Sequence, residues 1–271
     1  MLTRAKTWWT ILRITLEERL VYRADFAVAT LMRFLPIATQ IFLWSAIFAA
    51  ANTDSVAGYS YHNFIAYYLL VMVGRALSSM PNLSAGITLQ IREGEIKKFL
   101  IQPIDLISFL LIARVAHKLV YYVIAAAPFA IIFFFCRGFF SGWPDGLTLT
   151  AFFAALIMAF LLGFFLELAI GLVGFWWLEV SSILFIYMMI NYFLSGHMFP
   201  IDMLPQPWQA IVNCLPFRFL AYFPAAVFLG KVQGDELIQE LWIQFAWVVF
   251  FFFLSRILFH FGVKRYSGFG G

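Results

Sequence analysis

Long apolar blocks alternate with short polar interruptions from one end of the chain to the other. Helices need roughly 20 apolar residues to cross a bilayer. That criterion predicts spans at Phe26–Ala51, His62–Ile87, Leu106–Cys136, Leu147–Trp177, Val180–Met198 and Leu241–Phe261. Ahead of the first span, Ala5 to Tyr22 carries too much charge to cross. Trp8, Leu12, Leu16 and Leu20 recur there every four residues, between Lys6, Arg13, Glu17 and Glu18. This spacing predicts an amphipathic helix at the membrane surface, and residues 1–25 are assigned to it. The connectors are short: Asn52–Ser60, the turn-rich Arg137–Gly146, a tight turn at Glu179 and the polar Lys231–Glu240. Arg114, His117 and Lys118 place the first turns of the third span outside the bilayer.

Two stretches break the alternation. Gln90–Asp105, reading QIREGEIKKFLIQPID within an interruption at residues 88–105, is the longest polar gap between two spans. Glu93 and Lys97 stand in the favourable i,i+4 order of a helix. Ile91, Ile96, Phe99 and Leu100 supply an apolar side, Arg92, Glu95 and Lys98 add charge, and Pro103 stops the helix. The pattern fits a short amphipathic helix with something to touch, and it also fits a solvated loop. The second stretch, Phe199–Gly230, is apolar yet holds Pro200, Pro205, Pro207, Pro216 and Pro224. Prolines at that density prevent one straight helix. Broken backbone at membrane depth is tolerated where protein or a cavity surrounds it, so a re-entrant hairpin of two short helices is expected.

Composition agrees with the pattern. The 271 residues are 63% hydrophobic, and the 12% that are charged amount to half of the roughly 25% usual in soluble domains. A soluble fold would expose large apolar patches, so the class is all-α integral membrane protein. The net charge of +4 is too small to point to nucleic acid. Lys and Arg gather in Arg4, Lys6, Arg13, Arg19, Arg23, Arg92, Lys97, Lys98, Arg114, Lys118, Lys264 and Arg265, against Arg137, Arg218 and Lys231 on the alternate side. Six spans with both termini cytoplasmic satisfy this asymmetry. The N-terminus has no cleavage-site pattern, and a processed leader is not expected.

The chain has no phosphate-binding loop, nucleophile elbow or H-E-x-x-H pattern, and its four histidines are scattered, so neither nucleotide hydrolysis nor a metal site is expected. Cys136 and Cys214 read as small apolar fillers. Arg75 and Glu167 interrupt predicted spans. Intramembrane charge is costly, so both should face protein or a wet cavity, either as a structural or gating pair or on a substrate path. Gly163, Gly171 and Gly174 on the fourth span suit close helix approach.

This layout resembles the membrane subunits of type-2 ABC exporters, and most of all small permeases that work in pairs. The local resemblances are EGEIKKFLIQPID at Glu93–Asp105 and the segment Ser195–Gly230. The latter is similar to a G-x-x-F/Y-P-x-x-x-L-P-x-W pattern through Gly196, Phe199, Pro200, Leu204, Pro205 and Trp208, with Gln206 and Pro207 as a small departure. The resemblance implies that Arg92, Glu93, Glu95, Ile96, Lys97, Lys98, Phe99 and Leu100 seat on an ATPase. It further implies two ATPase subunits carrying ATP and Mg, a second permease copy or sister permease, a bacterial inner membrane and export of an amphiphilic cargo. This chain itself would bind no cofactor. A competing reading is an ion- or proton-coupled secondary transporter using Arg75 and Glu167; a membrane enzyme or scaffold is a further alternative. Secondary transporters show discontinuous helices in both halves, whereas the sequence pattern breaks only near its end.

Overall fold

The computed structural model describes residues 2–21, 32, 35–56, 58–177 and 179–266. The end of the predicted interfacial helix (22–25, with Arg23) and the start of the first predicted span (26–31, 33 and 34, with Arg33) lie outside the described residues, as do residues 267–271 and the side chains of Arg4 and Arg19. In chain order the helices are α1 (Leu2–Val21), α2 (Leu35–Ala51), α3 (Tyr61–Ser78), α4 (Leu83–Arg92), α5 (Lys97–Leu100), α6 (Leu106–Phe135), α7 (Gly146–Leu172), α8 (Ser181–Leu194), α9 (Gln206–Asn213), α10 (Tyr222–Phe228) and α11 (Gly234–Arg265). The described residues contain no strand beyond an isolated bridge between Val56 and Tyr59.

Four stretches are long and apolar enough to cross a membrane: Tyr61–Arg92, Leu106–Phe135, Gly146–Phe175 and Gly234–Arg265, while α2 and α8 are apolar but shorter. The predicted fifth span ends early. Helix α8 stops at Leu194 because Ser195 caps it and Gly196 takes φ +77°, a left-handed conformation that suits glycine. The predicted second span is broken. Helix α3 ends at Ser78, Pro81 follows, and Asn82 sits in the left-handed region at φ 59° before α4 resumes. Backbone discontinuity is therefore not confined to the end of the chain. The cause is Pro81, which withholds an N–H from the helical ladder.

The chain divides into two compact units. The first comprises Met1–Ser55, Ser60–Ile65 and Lys98–Ser141. Here α1 packs along α6, and Trp44 of α2 stacks on Phe64 with ring centroids 4.0 Å apart. Asp105 opens α6 as its N-cap, its carboxylate accepting from the Ser108 amide at 2.9 Å and hydroxyl at 2.6 Å. Lys118 is buried within the fold. The four-carbon stem of lysine packs as apolar surface.

The second unit comprises Val56–Tyr59, Ala66–Lys97 and Gly142–Gly271. Its hub is α7, which is buried along most of its length. Asp145 caps α7 by accepting from the amides of Leu147 and Thr148, and the Thr148 hydroxyl and these amides hold its carboxyl below the usual range. One face of α7 meets α4 and, at Gly163, the last residue of α3, and α7 also meets α10 and α11. The three predicted glycines supply the first contact. A Cβ on Gly163 would overlap the Ser78 carbonyl, one on Gly171 would lie 2.9 Å from the Ser84 Cα, and one on Gly174 3.1 Å from Thr88 Cγ2. Such approach leaves α7 carbonyls within reach of hydroxyls: Ser84 donates to Glu167 O at 2.7 Å and Thr88 to Gly171 O at 3.2 Å. The α11 side repeats the device, with the buried Gln244 amide donating to Ala155 O at 2.9 Å and the buried Ser255 hydroxyl to Phe165 O at 3.1 Å. In apolar surroundings such bonds join helices that the hydrophobic effect cannot.

Candidate functional site

Three groups of residues carry the chemistry. The first is the polar interruption after α4. Helix α4 runs to Arg92, then the chain turns at Gly94 (φ +79°) and makes the single helical turn α5. The expected helix from Glu93 to Leu100 is thus a turn followed by one helical turn, because a left-handed glycine cannot continue a helix. The turn is closed by the Ile96 amide donating to Gln90 O at 3.1 Å and the Lys97 amide donating to Gly94 O at 3.3 Å. Ile96 is only 1% exposed, so it anchors the turn from within and is not a free contact for a partner. Phe99 is half-buried with its ring 5.1 Å from Phe109. Exposed apolar surface lies instead at Leu100 (38%) and Ile101 (84%), and Ile101 was not among the sequence candidates. Arg92 stands 3.6 Å from Glu179, both largely solvent-facing. The Ser181 hydroxyl and amide, then Arg92, hold the Glu179 carboxyl below its usual range.

The second group surrounds Arg75 and Glu167, both half-buried. Glu167 lies at the α3–α4 break, where its carboxylate receives the Met80 amide at 3.4 Å while its carbonyl receives Ser84. It thereby satisfies an N–H that the break leaves without an intrahelical acceptor. Tyr187 on α8 feels both charges, and His197 feels Arg75. Sequence position alone pointed to a pair of charges; the Tyr187 and His197 neighbourhood emerges only from the fold.

The third group is the proline-rich segment. It forms a 3-10 turn at Ile201–Met203, then α9, a 3-10 turn at Pro216–Leu220, and α10. Its prolines open these elements: Pro200 and Pro216 begin or precede 3-10 turns, and Pro205 and Pro207 sit at the start of α9. The two short helices differ in burial. Tyr222 to Val227 of α10 are all buried, whereas α9 exposes Trp208 and Ile211 and buries Val212. Gly196 has no room for a Cβ, since one would lie 2.6 Å from both Tyr222 Cβ and the Tyr67 hydroxyl. Phe199 and Leu204 are half-buried, Pro200 is buried and Pro205 is exposed.

Two polar features went unread in the sequence. Arg218 and Glu240 form a 2.5 Å ion pair whose side chains are 9% and 16% exposed, with the guanidinium 4.5 Å over the Phe219 ring. Asp202 accepts hydrogen bonds from Tyr59 at 2.6 Å and Tyr222 at 2.7 Å. Cys136 is buried and Cys214 is exposed, and neither is in a disulfide; Cys214 is therefore not a core filler. Among the described residues no group of three or more His, Cys, Asp or Glu is placed to hold a metal.

Four stretches long and apolar enough to cross a membrane fit a multi-pass membrane protein. The chain belongs to the ABC-2 family of transporter proteins, whose model matches residues 34–270. A comparison with curated proteins finds no match. Family membership makes the chain the membrane permease subunit of an ABC transporter, partnered by ABC ATPase subunits that are separate from it.

Proposed function

We propose that this chain is an export permease for an amphiphilic cargo, such as a lipid-linked molecule, glycolipid, drug or peptide. It works in the bacterial inner membrane beside a sister permease or a second copy of itself. Two ATPase subunits bind ATP and Mg, and their closure rocks the membrane halves between inward and outward access. The chain spans the membrane six times with both termini cytoplasmic. Residues 1–25 lie at the interface, 88–105 couple to the ATPase, and 199–230 form the outer re-entrant hairpin through Gly196, Phe199, Pro200, Leu204, Pro205 and Trp208. Arg75 and Glu167 act as structural or gating charges. The observation that carries this reading is the family match over most of the chain. The exposed turn between Gly94 and Ile101 supports it as the point of coupling.

In the coupling step, Leu100 and Ile101 enter an apolar groove on the ATPase while Arg92, Glu93, Glu95, Lys97 and Lys98 set orientation at the rim; Ile96 and Phe99 hold the turn in shape. Truncating a docked apolar anchor costs about 2 kcal/mol or more of binding, at least tenfold in affinity. The double variant Leu100→Ala/Ile101→Ala should therefore lower ATPase co-purification at least tenfold at unchanged membrane expression. Phe99→Ala should lower it through loss of the Phe109 contact. Undiminished association in both variants would sink the coupling role.

Topology is tested separately. Ser55 and Lys98 are both exposed, so cysteines there are accessible to a membrane-impermeant thiol reagent. In a Cys136→Ser/Cys214→Ser background, Ser55→Cys should label from outside intact cells and Lys98→Cys only after permeabilisation. Outside labelling at position 98 would refute the six-span arrangement.

A further inference from the structure

We propose that Asp202 is a positioning residue that clasps the turn at residues 195–203 to the loop before α3 and to α10, so that these parts move as one body; the proposal rests on the export reading given above. Asp202 stands among Phe199, Pro200, Ile201, Met203, Leu204 and Pro205, the sole charge in a run of apolar residues. Each of its carboxylate oxygens is engaged by a different element. Tyr59, in the loop before α3, donates to Oδ2 at 2.6 Å, and Tyr222, the first residue of α10, donates to Oδ1 at 2.7 Å. Hydrogen bonds to an ionised acceptor are shorter and stronger than neutral ones, and here two of them meet on one group.

Four further contacts extend the clasp. Tyr67 of α3 donates to the Gly196 carbonyl, and Tyr68 donates to the Met198 carbonyl at 2.7 Å. The Tyr222 amide donates to Ser195 O at 2.9 Å. Lys231 donates to Gly58 O at 2.7 Å and lies 4.1 Å over the Tyr59 ring, bracing that phenol from behind. Burial, the neighbouring Tyr222 and the Asp202 carboxylate push the Tyr59 hydroxyl far above the usual phenol range, so it remains a donor. Tyr59 and Tyr67 are fully buried, and a phenol buried without an acceptor is unfavourable. Residues 195–203 are thus tied to α3 at two points, to the loop before it at one, and to α10 at two. A hairpin held in this way cannot flap by itself; it shifts when α3 shifts.

Cys214, exposed at the end of α9, is a built-in reporter, and Cys136 is buried. The experiment attaches a nitroxide to Cys214 in a Cys136→Ser background of the full complex in nanodiscs. Spectra are read without nucleotide and after trapping with ATP and vanadate. Asp202→Ala should increase label mobility at least severalfold without nucleotide, and Tyr59→Phe/Tyr222→Phe should reproduce it. Combining all three changes should add nothing further. ATP hydrolysis should stay within twofold of wild type while the nucleotide-dependent change at Cys214 is lost. A merely structural role would instead lower assembly and hydrolysis together.

Unchanged mobility in both Asp202→Ala and the double phenylalanine variant would overturn the clasp, as would a preserved nucleotide response in those variants. Should Asp202→Ala fail to assemble, Tyr59→Phe alone removes one bond, keeps the ring packing and reads the same signal. A wild-type complex without any nucleotide response would count against the export reading and against coupled movement. The nucleotide-free comparison would still decide whether Asp202 holds the hairpin.

Discussion

Arg218→Ala should destabilise the folded protein by about 3–5 kcal/mol, because it strips the partner from a buried carboxylate. Arg218 sits in the 3-10 turn Pro216–Leu220 and reaches Glu240 on α11 at 2.5 Å. Both side chains are largely removed from solvent, so water cannot take over the lost contact. Glu240→Gln should be milder, since the amide oxygen still accepts a hydrogen bond from the guanidinium. The double variant Arg218→Met/Glu240→Leu should recover most of the loss, because apolar residues of similar volume often match a buried ion pair. Thermal unfolding of the purified protein in detergent measures this, with a downward shift on the order of 10 °C for the single variant. A double variant as unstable as Arg218→Ala would show that packing of the guanidinium on Phe219, and not charge pairing, is what the site supplies.

The features legible in the sequence are those that recur at short range. The apolar blocks containing α3 and α4, α6, α7 and α11 could be read because each is long enough to register by itself. The spacing of Gly163, Gly171 and Gly174 pointed to close helix approach, and all three lie against α3 or α4. Pro200, Pro205, Pro207, Pro216 and Pro224 announced a segment broken into short helices because each proline acts on its own backbone. Contacts between distant segments were silent. Asp202 and Tyr59 are 143 residues apart, and no local spacing could pair them. Arg218 read as one of a few cations in outer segments, and Glu240 as part of a polar connector, until α11 carried that connector alongside the 3-10 turn. The break at Ser79–Asn82 had a local signal in Pro81 and Asn82, but the apolar run on either side masked it. Ile96 looked like a contact residue because burial within a turn depends on what the turn packs against.

Gly163→Ala and Gly86→Ala should change stability in opposite directions, although the chemical change is the same. Alanine exceeds glycine in helix propensity by about 0.5–1 kcal/mol, and both residues lie inside helices. At Gly86 nothing lies within 4 Å of the added Cβ, so only the propensity gain remains and the variant should be the more stable one. At Gly163 the new methyl would overlap the Ser78 carbonyl oxygen and fall 3.1 Å from its carbon. The obstacle is main chain at the last residue of α3, one turn from Pro81 and Asn82, and it cannot rotate aside as a flexible side chain would. Relief requires α3 and α7 to separate, which stretches the Met80 and Ser84 hydrogen bonds to Glu167. Overpacking of this kind costs about 1–3 kcal/mol, enough to exceed the propensity gain. Because Glu167 sits at the same break, Gly163→Ala should also shift the surroundings of Tyr187, which feels Glu167 and Arg75. Unfolding midpoints of the two variants, measured side by side in one detergent, decide the matter. If Gly163→Ala were as stable as wild type, α3 and α7 would not approach as closely as the glycine spacing requires.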